Sequence, residues 1–232
     1  MTIVLYELVG AEETTRFSPF CWRARLALEH KGLAFETVPI RFSDKALLTF
    51  SGQDKVPVIK DGDKVVSDSW EIANYLEDTY PDRPTLFPDG DGRSLTRFVT
   101  NWVDTALHPI LAPLLTPITL ERIAECDRAY FRESREQRFG KRLEELSPGE
   151  ELVVRNLRTA LAPLNRTLST SPFLAGDAPG YADIALMGSL MWVRSLSAIR
   201  YLTPDDPAYA WREGFLRRLG ADSARLFGYD WS

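Results

Sequence analysis

The stretch KVPVIKDGDKVVSDS, residues 55–69, decides the fold. Two short apolar runs meet across Asp61-Gly62, a turn signal for a tight hairpin, because few residues other than glycine and its small polar neighbours accept the backbone such a loop needs. Immediately after the second run, Ser67, Asp68 or Ser69 offers a side-chain oxygen to cap a helix. In the residues that follow, Trp70, Ala73 and Leu76 or Tyr75 fall on one helical stripe. Pro57 interrupts the first apolar run and removes a ladder donor there. It reads either as an edge or strand start, or as the second residue of a cis peptide that turns the N–H and C=O of Val56 outward to pair with an extended peptide.

Working outward, Thr2 to Leu8 is a β-branched and aromatic strand. FSPFCWRARLAL, residues 17–28, opens a helix: Ser18 caps it, Pro19 suits its first position, Trp22 and Leu26 share a face, and Gly32 stands where it stops. Phe35 to Ile40 is a second strand, and Ser43 caps a short helix to about Phe50. The order over residues 1–80 is therefore strand, helix, strand, helix, strand, strand, helix. PDRPTLFPDGDG, residues 81–92, has linker composition. From Arg93 to the end, residues 93–232, only helices are expected, over roughly 93–115, 119–146, 149–169, 182–198 and 205–219, with Pro109, Pro113 and Pro117 kinking or breaking the first. The fold class is a small α/β domain followed by an all-α domain.

Composition narrows the function. A chain 44% hydrophobic and 26% charged buries an ordinary soluble core. Net charge is −5, and Glu121 to Arg158 carries nine acids and nine bases, a balanced face unlike a nucleic-acid groove. No apolar run is expected to span a bilayer, and the N-terminus has no cationic or cleavage-like region, so no membrane partner is expected. Two cysteines, Cys21 and Cys126, give no disulfide framework and suit a reducing, cytoplasmic setting. Two scattered histidines, His30 and His108, argue against a bound metal.

Together, Ser18-Pro19-Phe20-Cys21-Trp22-Arg23, Lys55-Val56-Pro57, Asp68-Ser69 and Gly176-Asp177 with Ala182-Asp183 resemble the cytosolic glutathione transferases across nearly the whole chain. The likeness is nearest to serine-type members, related to the zeta and theta classes and to bacterial β-etherase-like enzymes. It implies a thioredoxin-like N-terminal domain of order βαβαββα, an all-helical C-terminal domain, a homodimer, a cis bond before Pro57, and glutathione as co-substrate. By the same resemblance, Val56 pairs with the cysteinyl backbone of glutathione. Ser69 and the helix N-terminus hold its γ-glutamyl carboxylate, Asp68 its ammonium, and Lys55 or Arg41 its glycyl carboxylate. Many members have glutamate at the Asp68 position, and serine or threonine where this chain has Gly180, three residues before Asp183.

Ser18 falls where the family touches the glutathione sulfur, and a hydroxyl there can accept from the backbone while donating to a thiolate. Cys21 lacks the second sulfur of a Cys-x-x-Cys pair and reads as a small residue packed beneath the site. The electrophile is expected between the loop before Ser18 and the first helices of the second domain, with Phe17, Trp102, His108, Leu111, Leu115 and Trp192 as lining candidates and the aromatic tail LFGYDWS as a cover. The expected activity is conjugation of glutathione to a hydrophobic electrophile, with ether cleavage as a variant. The alternatives are thiol-disulfide exchange at Cys21 and a non-catalytic carrier of glutathione or aromatic ligands.

Overall fold

A computed structural model describes residues 2–146 and 148–230. Strand β1 (Ile3–Leu8) is followed by α1 (Pro19–His30), β2 (Phe35–Ile40), a 3-10 segment (Phe42–Ser51), β3 (Val58–Asp61), β4 (Lys64–Ser67) and α2 (Ser69–Thr79). The sheet order is β2-β1-β3-β4. Strand β1 runs parallel to β2, with Leu8 opposite Ile40, and antiparallel to β3, with Tyr6 opposite Val58. This is the thioredoxin-like arrangement. The hairpin turns on Gly62-Asp63, one residue later than the sequence signal, because Asp61 pairs with Lys64 and Gly62 takes the positive φ.

The second domain comprises α3 (Gly92–Trp102), α4 (His108–Arg122), α5 (Glu125–Phe139), α6 (Glu150–Ala160), α7 (Ala162–Leu168), α8 (Tyr181–Leu196), α9 (Pro207–Leu216) and a short α10 (Ala221–Ala224). Several expected boundaries are corrected. Residues 93–115 do not end at a proline: α3 runs through one π turn, Val103–Leu107, into α4, making a continuous helix from Gly92 to Arg122. Pro109 directly follows the π turn, where the regular i→i−4 ladder is already interrupted. Pro113 and Pro117 then follow at intervals of four, so the lost hydrogen bonds lie along one half-exposed face, and the helix continues past both. The helix expected over 119–146 is α5 alone, stopped by Gly140 at φ 64°. That expected over 149–169 is split at Leu161 into α6 and α7. The segment expected as a helix from Ser43 is 3-10, and Asp44 rather than Ser43 caps it, accepting from Arg41 N–H at 2.9 Å.

The Gly92–Arg122 helix is long and apolar enough to cross a membrane by length and composition, contrary to the sequence reading. Its stripe of Val103, Leu107, Leu111 and Leu115 is instead buried in the core of the second domain. Nor is 81–92 a loose tether: Leu86 and Phe87 are buried, and the Leu86 carbonyl accepts from Tyr181 N–H at 2.6 Å.

Helices α1 and α8 pack against each other, both buried along most of their length. Gly188 permits that approach, since a Cβ there would lie 2.7 Å from the Pro19 carbonyl oxygen and 2.8 Å from Arg23 Cγ. Gly188→Ala is therefore expected to destabilise the protein by about 1–3 kcal/mol, the usual range for overpacking. The midpoint of urea unfolding checks this, and an unchanged midpoint refutes the close-approach explanation.

Candidate active site

Three sequence-predicted groups meet at the C-terminal end of β1. Ser18 is the N-cap of α1, 7% exposed, and its Oγ accepts from Cys21 N–H at 3.2 Å. The turn it begins is tied to β1 by Leu8 N–H, which donates to Cys21 Sγ at 3.4 Å. The Val56-Pro57 bond is cis and leads into β3 where Val58 faces Tyr6 of the same strand. Val56 packs on the small cluster of Ile40, Leu48 and Val58, and its N–H and C=O make no hydrogen bond among the described residues. The Pro57 carbonyl accepts from Asp68 N–H at 3.3 Å, which brings the start of α2 to the same place.

Asp68 holds φ 73° and ψ 134°, and among the described residues it alone is a non-glycine with positive φ. Such backbone costs on the order of 1–3 kcal/mol and persists where surrounding contacts fix it. Its Oδ1 accepts from Trp70 N–H at 2.8 Å and Glu71 N–H at 3.3 Å. Those two donors are thus taken by the cap, which narrows the expectation for the helix N-terminus to the N–H and hydroxyl of Ser69. Ser69 is buried, its carbonyl accepts from Tyr181 Oη at 2.6 Å, and its hydroxyl has no partner among the described residues.

Cys21 is sealed beneath Ser18, and burial pushes its thiol up to about 12. At neutral pH essentially none of it is thiolate, the form that attacks a disulfide. Lys55 is exposed and forms no ion pair among the described residues. Arg41 lies at the edge of the 3-10 segment, 4.0 Å from Glu13.

The electrophile-site expectations divide. Phe17 is buried and stacks near Phe42 at 6.4 Å. His108 packs edge-on against Phe20 at 5.6 Å and Trp192 at 5.5 Å, and Phe20 lies two residues beyond Ser18 and is exposed. Leu111 and Leu115 have no exposed surface; they point into the core and can line nothing open. Trp102 faces a separate apolar hollow of about 340 Å³ with Phe98, Pro163, Leu164 and Leu174. Aromatic or aliphatic residues at helical spacing do not reveal which side of the helix meets a pocket, so the sequence does not single out Phe20 or Phe42. Phe20 had one usable signal, its place in the turn that carries Ser18. The tail bonds along the flank: Phe227 N–H donates to the Thr14 carbonyl, and Tyr229 Oη accepts from Arg122 at 2.7 Å. Its last two residues, Trp231 and Ser232, lie outside the described residues.

His108 belongs to a cross-domain network. Arg23 of α1 is buried, donating to the Ala185 carbonyl at 3.1 Å and pairing with Asp104 at 2.5 Å. It also donates to Ser189 Oγ at 3.4 Å, and that hydroxyl lies 2.9 Å from His108 Nε2 and 3.4 Å from the Ala185 carbonyl, either of which can accept its hydrogen. Burial, reinforced by the charge of Arg23, lowers His108 to about 4. The imidazole is neutral near pH 7 and does not serve there as a proton-donating imidazolium. Because the folded value is depressed from 6.5 to about 4, the unfolded chain binds more protons across that window. Stability contributed by this group is therefore present above pH 6.5 and is lost as pH falls to about 4, on the order of 3 kcal/mol. Unfolding free energy measured between those pH values should slope less steeply in His108→Asn; parallel slopes would refute the assignment.

Comparison with known proteins is decisive at this point. Residues 14–84 match the glutathione S-transferase N-terminal domain family and residues 94–202 the glutathione S-transferase C-terminal domain family, together well over half of the chain. This chain belongs to the glutathione S-transferase family. The transferase resembles a glutathione transferase of Phanerochaete chrysosporium, with a TM-score of 0.84 at 25% identity over 95% of this chain and 98% of that one. A glutathione S-transferase of Ceriporiopsis subvermispora, solved in complex with glutathione, gives 0.79 at 25% identity over 99% and 100% of the two chains. Glutathione S-transferase 4 of Zea mays is 29% identical over 219 residues, 90% of this chain and 89% of that protein. The capping feature common to the fold is present in this transferase with Gly180 in place of serine or threonine. Asp183 accepts from Gly180 N–H at 3.2 Å, but its other bonds go to Leu174 and Ala175 N–H and Trp211 Nε1, so it braces the preceding loop rather than the first helical turn.

Proposed function

We propose that this transferase is a serine-type enzyme that binds glutathione across Val56, Asp68 and Ser69 and sets its sulfur beside the Ser18 hydroxyl for attack on a hydrophobic electrophile. The observation that carries the proposal is the unpaired backbone of Val56 at a cis-Pro57, next to the unpartnered Ser69 hydroxyl. An extended peptide adds to such a backbone edge as a short strand. Its γ-glutamyl carboxylate then finds the N–H and hydroxyl of Ser69, and its ammonium finds Asp68, whose Oδ2 is left over from capping. Ser18 accepts from Cys21 N–H, and its hydroxyl, which also lies within hydrogen-bonding reach of the Cys21 thiol, turns its hydrogen to the glutathione sulfur when the tripeptide binds. Attack forms an S–C bond while the leaving group departs with its electron pair and takes a proton from solvent. Where that group is an aryloxide, the same step cleaves an ether.

The deep burial of Cys21 supports conjugation over disulfide exchange. The homodimer expected from the sequence has apolar surface to offer on α3, where Leu95 and Phe98 are 65% and 71% exposed. A broad panel of electrophiles assayed with glutathione tests the function. Turnover that is lowered in Ser18→Ala supports it; glutathione binding with no turnover in the whole panel identifies a carrier instead. A mixed disulfide trapped at Cys21 and seen by mass would establish the redox reading.

A further inference from the structure

Helix α5 carries four arginines between Arg128 and Arg138, and they are not equivalent. Arg128 pairs with Glu125 at 2.6 Å, and Arg132 pairs with Glu136 at 3.0 Å and Glu144 at 2.7 Å. Arg135 and Arg138, one turn apart, form no ion pair among the described residues. Arg135 is half-buried, with its guanidinium 4.7 Å from the Phe131 ring centroid and 5.8 Å from that of Phe42. Its one hydrogen bond is to the neighbouring Ser134 hydroxyl. Asp127, two turns earlier on the same helix, is buried and accepts from Phe42 N–H at 3.3 Å.

Phe42 continues to Phe17, the residue before Ser18, and Phe20 continues to His108. Arg135, Phe42 and Phe17 thus form a chain of contacts that leads from α5 to the residue before Ser18. Of the other cations nearby, Arg23 is paired with Asp104, Lys45 with Asp54, and Arg41 lies 4.0 Å from Glu13. A guanidinium desolvated on aromatic faces and lacking a counter-charge is suited to a planar carboxylate, which it meets with two parallel donors.

We propose that Arg135, assisted by Arg138, receives the anionic group of the second substrate, so that the preferred electrophile is an aryl acid whose ring lies on Phe42. This rests on the transferase reading above. The test uses 4-chloro-3-nitrobenzoate and 4-chloro-3-nitrobenzamide, which differ in charge at one substituent. In both, the glutathione thiolate forms a C–S bond at the carbon that loses chloride. After division by the uncatalysed rates, the native enzyme should prefer the benzoate by about tenfold or more. Arg135→Met keeps an apolar stem on Phe131 and should lower kcat/KM for the benzoate by about tenfold to a hundredfold, through KM. The benzamide and the KM for glutathione should change less than about twofold, and Arg135→Lys should recover part of the benzoate activity.

No preference in the native enzyme, or equal losses on both probes, overturns the proposal. So does a rise in the glutathione KM, which would assign the cation to the glycyl carboxylate. If neither probe turns over, calorimetric binding of 3-nitrobenzoate and 3-nitrobenzamide to the glutathione-loaded protein decides. Tighter binding of the acid, lost in Arg135→Met, supports the site; equal binding overturns it. Absence of turnover by itself counts against the transferase reading alone.

Discussion

Replacing Glu7 by glutamine should lower stability by about 3–5 kcal/mol. Alternation along β1 turns Glu7 to the same side as Ile3 and Leu5, leaving it 1% exposed. There it accepts from Arg16 Nε at 3.0 Å and from both Nε and Nη2 of Arg25. Two buried guanidinium groups thus share one carboxylate, and Arg16 Nη1 has no hydrogen-bond partner among the described residues. Glutamine keeps the shape but leaves two buried cations uncompensated. Against a total of about 5–15 kcal/mol the loss is large, and it corresponds to about 10 °C in Tm for a chain of this size. The site feels it as well, because the Arg16 carbonyl, two residues before Ser18, anchors Trp22 Nε1 at 2.7 Å and Ser195 Oγ at 2.5 Å. Denaturant unfolding checks the figure, and a loss below about 1 kcal/mol contradicts it. Replacing all three residues together by apolar ones of similar volume should restore most of the stability, since removing a whole buried ion cluster is often neutral.

Ser18→Ala should slow conjugation in a way that depends on pH. If the hydroxyl lowers the thiol pKa from about 8.5 by about two units, the bound sulfur is half ionised near pH 6.5 instead of about 1%. Lower basicity weakens the nucleophile by roughly tenfold, given a Brønsted slope of about 0.4–0.5. The net advantage of the native enzyme from activation is then about sixfold at pH 6.5, and it inverts by pH 8.5, a swing of about 25-fold. Positioning of the sulfur multiplies both values equally. By linkage, the apparent glutathione affinity should fall by only about twofold at pH 6.5 and by up to about fiftyfold at pH 8.5, while the contacts of Val56 and Ser69 remain. A ratio of native to variant kcat that is flat across this range contradicts activation and leaves positioning alone. Loss of the cap also costs about 1 kcal/mol of stability, so the variant must be assayed well below its melting temperature.

Local chemistry made the first domain legible. Ser18 before Pro19 and an acid before Ser69 act within a few residues and form caps, and glycine in the hairpin marks a turn that falls one residue beyond its signal. The cis bond at Pro57 was open from the residues alone and followed only from the family resemblance. The helical domain was harder because its boundaries depend on tertiary context. Prolines at spacing four looked like a break, yet a π turn and a half-exposed face let the helix run on to Arg122. The electrophile side was hardest. Leu111 and Leu115 share apolar character with Phe20 and Phe42, and only packing separates core from cleft. The nine acids and nine bases from Glu121 to Arg158 balance in sequence, which hides that Arg135 and Arg138 form no ion pair among the described residues.

The ionisation of glutathione on the enzyme is the most direct measurement. Thiolate ultraviolet absorbance of the bound tripeptide, titrated with and without the Ser18 hydroxyl, should give a midpoint near pH 6.5 in the native protein and near 8.5 in Ser18→Ala. A native midpoint no lower than that of the free thiol, or the same midpoint in both proteins, would contradict the account.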